Sequence, residues 1–205
     1  MSDPSTVVAA TGLACRRGER ILFRGLDLSV RAGQIVWVRG ANGQGKTSLL
    51  RLLAGLARPE AGAIEHGTRE RVYVGHANAL KDDLTVTESL LFLSRLHGFE
   101  TSAEGIDAAL RRFGLHSRRH APVRTLSQGQ RRRVALARLC TAPPTALWLL
   151  DEPFDALDVE GVAALNALLA EHALRGGSVL LTSHVPLTLT SPAPIVLQLA
   201  EAATA

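Results

Sequence analysis

Residues 40–47 read GANGQGKT and fit the pattern G-x-x-x-x-G-K-[ST]. Glycines in such a stretch let the backbone wrap closely around phosphate oxygens, and free N–H groups at a following helix start point at them. Gly40, Ala41, Asn42, Gly43, Gln44, Gly45 and Ser48 form the expected cradle. Lys46 brings a mobile point charge to the β- and γ-phosphates of a nucleoside triphosphate, and the Thr47 hydroxyl is placed for Mg²⁺. The bland alternative is a glycine-rich turn that merely opens a helix. The flanks argue against it: a β-branched and aromatic run at 34–38 precedes the motif, and a leucine stripe at 48–56 follows.

A phosphate loop of this kind needs a second half, an apolar strand that ends in carboxylates. Residues 146–152 read ALWLLDE and supply it. Asp151 at the strand end is expected to hold the Mg²⁺ shell, and Glu152 to accept a proton from the attacking water. Alone, an acidic pair after a strand is an ordinary turn. Coupled to the loop upstream, it reads as catalytic.

These residues must be held by alternating elements. Strands are expected at 21–30, 34–38, 71–75, 146–150 and 178–182, and helices at 48–56, 128–139 and 161–174. Residues 77–122 are mostly helical in pattern, with Gly98 and Gly114 as stops. Alternation of this type predicts an α/β fold with a parallel or mixed sheet and an inserted helical lobe. The 205 residues suit one domain of that design.

Composition excludes more than it assigns. The apolar runs are far shorter than the roughly 20 residues of a membrane span. The first residues, MSDPSTVVAA, lack the charged and apolar regions of a targeting leader. Cys15 and Cys140 are far apart and form no metal or disulfide pattern. A net charge of +4 is too small to argue for nucleic acid. The basic side is lopsided, with 21 arginines against Lys46 and Lys81 alone, so the lysine in the phosphate loop stands out.

With these motifs in place, nearly the whole chain resembles the ATP-binding-cassette ATPases. Leu126 to Gln130 (LSQGQ) is similar to the family signature, which caps the γ-phosphate of ATP bound to the opposite subunit; the resemblance gives that role to Ser127, Gly129 and Gln130. Asp155 to Asp158 falls where the family's D-loop lies, and His184 matches the switch histidine at the γ-phosphate. The resemblance implies an ATP hydrolase with Mg²⁺, acting as a head-to-tail pair of cassettes, most simply a homodimer. It also implies a catalytic core at 1–76 and 131–205 with a helical signature lobe at 77–130.

Two positions depart from the family. Arg17 stands where an aromatic residue usually stacks on adenine, and a guanidinium can also stack on a purine. His76 stands where the Q-loop glutamine usually senses Mg²⁺ and water; an imidazole can make similar hydrogen bonds, with a pH sensitivity that glutamine lacks. The segments CRRGERILF, YVGHANALKDDLT and LSQGQRRRVALARL resemble the cytochrome c maturation, or haem-export, branch of the family. This implies membrane-spanning maturation subunits as partners and a peripheral location on the cytoplasmic face of a bacterial inner membrane. ATP would be coupled to haem export or to release of a haem-loaded chaperone.

No haem site is expected in the chain itself: it has no C-x-x-C-H, and His116 with His120 reads as a solvated helix end or loop. The alternatives are the ATPase of another small-molecule exporter and a soluble nucleic-acid-associated cassette. Arg111/Arg112, Arg118/Arg119 and Arg131 to Arg133 motivate the latter, but 205 residues leave no room for the tandem cassettes or long insertions of such relatives. A solvated helix face explains Arg131 to Arg133, and no nucleic-acid partner is expected.

Overall fold

The structure, a computed structural model, describes residues 5–67 and 70–199. Residues 1–4, read above for a leader, lie outside the described residues, as do 68–69 and the 200–205 end of the expected core. The chain runs β1 (Thr6–Arg17), β2 (Arg20–Arg31), β3 (Ile35–Arg39), α1 (Lys46–Leu53), β4 (Ala61–His66), β5 (Arg71–Val74), α2 (Val86–Leu96) and α3 (Ala103–Arg112). It continues through α4 (Gln128–Ala137), β6 (Leu147–Leu150), α5 (Val159–Leu174), β7 (Ser178–Thr182) and β8 (Ile195–Gln198). One sheet is antiparallel, in the order β2-β1-β4; the other is parallel, in the order β5-β6-β7-β3-β8.

Every residue of β6 and β7 is buried, as expected for central parallel strands covered on both faces. Their side chains alternate between two cores. Leu147, Leu149 and Leu180 pack with Leu49, Leu50 and Leu53 of α1 and with Val8, Leu13 and Phe23 of the antiparallel sheet. Trp148, Leu150, Val179 and Leu181 face Leu90, Ile106, Leu110, Val134 and Leu165 of the helices α2 to α5. The phosphate loop joins β3 to α1, and the carboxylates follow β6, so both arise at the same end of the sheet.

Several elements depart from the sequence reading. Strands β1, β4 and β8 were not expected. The alternation of β1 is broken by register shifts around Gly12, whose φ is 59°, and β4 is mostly exposed. The expected helical stretch 77–122 holds two helices, α2 and α3, ending just before Gly98 (φ 72°) and Gly114 (φ 68°) as anticipated. The rest is loop and 3₁₀ turns, at His116–Arg118 and Val123–Thr125. The helix expected at 128–139 tightens into a 3₁₀ turn at Arg138–Thr141.

His172 of α5 stacks on Trp148 with ring centroids 3.5 Å apart, and its Nε2–H donates to the Ala146 carbonyl at 2.8 Å. Burial, aided by nearby Arg175 and opposed by the Ala146 hydrogen bond, lowers the His172 pKa to about 4. The unfolded imidazole titrates near 6.5, so its stabilising effect is complete above that pH and is lost as pH falls towards 4. Denaturant midpoints should therefore drop between pH 7 and pH 5, with up to about 2 kcal/mol due to this group. His172→Gln keeps an N–H for Ala146 and should flatten the dependence; an unchanged drop in the variant would show that other groups cause it.

Candidate nucleotide site

The loop after β3 is shaped by glycine. Gly45 adopts φ 99° at the N-cap of α1, and a Cβ there would lie 3.0 Å from Leu22 and 3.2 Å from the Phe23 ring. Both the turn and the packing exclude a side chain. No side chain caps α1 and no acidic residue stands in its first turn, which leaves its positive end for an anion. Lys46 is buried beneath the loop, and its ammonium donates to the carbonyls of Gly40 at 2.7 Å and Ala41 at 3.2 Å. Gln44 braces the same turn by accepting the Ala41 N–H at 2.6 Å.

Across the cavity stand the carboxylates. Asp151 is 3% exposed, and its Oδ1 accepts the Thr182 hydroxyl at 2.9 Å. The same hydroxyl oxygen accepts the Glu152 N–H at 2.9 Å. Glu152 has φ 47°, a left-handed conformation that costs a non-glycine residue about 1–3 kcal/mol. Its carboxylate takes the His184 backbone N–H on Oε2 at 3.0 Å and lies 3.3 Å from His184 Nε2 through Oε1. The geometry thus joins the candidate base to the candidate switch histidine at two points. His76 Nδ1 lies 3.8 Å from Asp155 Oδ2, and its ring is largely exposed.

One cavity of about 390 Å³ is lined by Arg17, Asn42, Gly43, Gly45, Lys46, Thr47, Ser48, His76, Asp151, Glu152 and His184. Gly40, Ala41 and Gln44 support it from the loop behind. Arg20 and Leu22 also line it, and sequence reasoning missed both; Arg20 lies opposite Arg17 in the β1–β2 register, which the sequence alone does not show. Among the described residues no Phe, Tyr or Trp lines this cavity.

Ser127, Gly129 and Gln130 do not line it. They open α4, where Ser127 and Gln130 form a capping box: the Ser127 hydroxyl accepts the Gln130 N–H at 3.2 Å, and Gln130 Oε1 accepts the Ser127 N–H at 3.0 Å. A Cβ on Gly129 would lie 2.8 Å from the Ala156 carbonyl, so glycine lets the 155–158 turn rest against the helix start.

The solvated face expected for Arg131 to Arg133 is corrected. Arg131 pairs with Asp82 at 2.7 Å, Arg133 pairs with Asp158, and Arg132 is 3% exposed. A run of basic residues in sequence does not reveal that acceptors surround it. His116 Nε2 lies 2.8 Å from Asp107 Oδ1.

A parallel sheet with a phosphate loop and a carboxylate strand facing one cavity defines a nucleotide-hydrolysing cassette. The ABC transporter family is matched over residues 23–155, and the chain belongs to that family; it binds ATP and hydrolyses it. It is 46% identical to a cytochrome c biogenesis ATP-binding export protein CcmA from Aromatoleum aromaticum, over 99% of this chain and 100% of that one. A CcmA from Pseudomonas putida is 50% identical, over 85% of this chain and 88% of its own length. A solved ATP-binding subunit of an ABC transporter superposes with TM-score 0.78 at 26% identity, covering 88% of this chain and 80% of that one.

Lys46→Ala removes a charge-assisted donor worth about 1.5–3 kcal/mol. Titration with a fluorescent ATP analogue should show at least about tenfold weaker binding. Unchanged affinity and turnover would remove Lys46 from the site.

Proposed function

We propose that the chain is the ATP-hydrolysing subunit of a membrane complex for cytochrome c biogenesis. In this reading it couples ATP binding and hydrolysis to haem export or to release of a haem-loaded chaperone. The observation that carries the reading is the 46% identity with a cytochrome c biogenesis export ATPase across the full length of that protein. Among the described residues no helix is long and apolar enough to cross a membrane. The reading therefore assigns membrane attachment, at the cytoplasmic face of a bacterial inner membrane, to membrane-spanning maturation subunits, and haem handling to those partners.

The chemistry follows from the cavity. The α1 amino end and Lys46 receive the β- and γ-phosphates, and Arg17 takes the base in place of an aromatic ring. Glu152 accepts the proton of the attacking water, and His184, held to its carboxylate, hydrogen-bonds the γ-phosphate. The oxygen donors Asp151 and Thr47 line the same cavity and fit the hard cation Mg²⁺, which when bound neutralises charge on the phosphate oxygens. His76 takes the glutamine's place near that water.

Ser127, Gly129 and Gln130, which do not line their own chain's cavity, serve the site of a second copy. A homodimer of cassettes then holds two ATP molecules. Within each copy, 77–130 acts as the helical lobe on a core of 1–76 and 131–205.

Glu152→Gln should keep ATP binding while turnover falls about 10²–10⁴-fold, as for loss of a general base. A radiolabelled phosphate-release assay beside the binding titration checks this, and near-wild-type release would dismiss Glu152 as base.

The biological role is tested by pull-down in mild detergent from a producing bacterium. Cytochrome c biogenesis membrane subunits should co-purify. Holocytochrome c should vanish on deletion of the gene and return with the wild-type chain but not with Glu152→Gln. Fractionation into the soluble pool with salt-sensitive RNA binding would overturn the role.

A further inference from the structure

Strand β5 is an edge strand of the parallel sheet, and its carbonyls alternate in direction. Those of Glu70 and Val74 accept N–H groups of Leu147 and Asp151, on the β6 side. Those of Tyr73 and Gly75 face away from β6 and would be left without a strand partner. Two arginines of one helical segment meet them: Arg138 donates to the Tyr73 carbonyl and Arg132 Nη1 to the Gly75 carbonyl at 2.9 Å.

Arg132 does more than close an edge. Its Nη1 also reaches Asn78 Oδ1 at 3.2 Å, and its Nη2 donates to the carbonyls of Asp151 at 3.0 Å and Glu152 at 2.7 Å. Its Nε points to the Pro153 carbonyl at 3.4 Å. All three guanidinium nitrogens are thus committed, in a buried position, to main-chain oxygens and one amide. Burial works against the charge, and the Asp155, Asp151 and Glu152 carboxylates sustain it.

One rigid fork therefore joins three segments: the helix that begins at Ser127, the strand end that leads to His76, and the turn that carries Glu152. That turn is the strained one, with Glu152 at φ 47°. Its amide is held by Thr182, its carboxylate by His184, and its carbonyl by Arg132.

We propose that Arg132 is the positioning residue of hydrolysis: it holds the Glu152 carbonyl, and so aims the carboxylate, while tying that aim to the signature helix and to the strand end before His76. The proposal rests on Glu152 being the base. Without the fork the carbonyl loses its donor, and the peptide can relax out of the left-handed conformation and turn the carboxylate away from the water. A planar fork is needed, because a lysine ammonium cannot reach carbonyls on opposite sides at once.

The test uses the full chain with Arg132→Gln, Arg132→Lys, Glu152→Gln and the two combinations with Glu152→Gln. For each, the ATP dissociation constant, KM and kcat are measured. Arg132→Gln and Arg132→Lys should keep ATP affinity and KM within about twofold while kcat falls about 10- to 100-fold, the scale of a misplaced catalytic group. Added to Glu152→Gln, neither should lower turnover further, because the carboxylate they position is already gone.

Wild-type kcat in Arg132→Gln, or a full additive loss on top of Glu152→Gln, would overturn the proposal. So would a loss seen in KM alone. Arg132→Lys keeps the charge and the aliphatic stem, so it carries the test if the glutamine chain does not fold; failure of both to fold would assign Arg132 to stability and overturn the proposal. Normal turnover in Glu152→Gln would overturn the base assignment and the proposal with it. Reduced turnover there beside normal turnover in Arg132→Gln would overturn the proposal alone.

Discussion

The hydroxyl of Thr182 sits between two strands and two carboxylate residues. It donates to Asp151 and accepts from the Glu152 amide, so β7 fixes what β6 presents. Asp151 is nearly sealed from solvent at the end of a wholly apolar strand. A carboxylate so little exposed needs a donor from the protein. The neighbouring strand supplies it only if the two stay in parallel register, with Leu150 beside Leu181. Burial of both sheet faces, register and the placement of the acidic pair are therefore one requirement.

The helical layer is fastened to this centre by two means. Leu90, Ile106, Leu110 and Val134 share an apolar core with Trp148 and Leu150. Closer to the cavity the fastening becomes polar: Arg132 and Arg138 on strand carbonyls, Arg133 on Asp158. Apolar packing is non-directional and tolerates small sliding, whereas a guanidinium on carbonyls fixes an orientation. The geometric demand rises towards the chemistry, and the type of contact changes with it.

Much of this was legible in the residues. GANGQGKT between a β-branched run and a leucine stripe marks the glycine turn from β3 into α1, and ALWLLDE marks a central strand with an acidic pair at its end. Gly98 and Gly114 mark two helix ends because each allows the left-handed turn that a helix stop favours. The missed strands have physical reasons: β1 breaks its alternation at Gly12, and β4 has too few buried positions to show a pattern. The three arginines after the signature were misread, since charge in sequence says nothing about the carbonyls that a fold will bring to it. Arg20 escaped for a similar reason: only pairing of β1 with β2 sets it opposite Arg17.

Arginine fills nearly every basic position, and the two lysines have opposite environments. Lys46 is buried with its ammonium on loop carbonyls, whereas Lys81 is exposed and rests over the Phe92 ring at 4.6 Å. For reagents that modify side-chain amines, the surface thus offers one accessible target. A fluorophore or crosslinker attached there would sit beside α2, next to the 76–80 loop that leads away from the cavity. The composition leaves one exposed side-chain amine, on the segment that continues from the Gly75 and Asn78 groups that Arg132 holds.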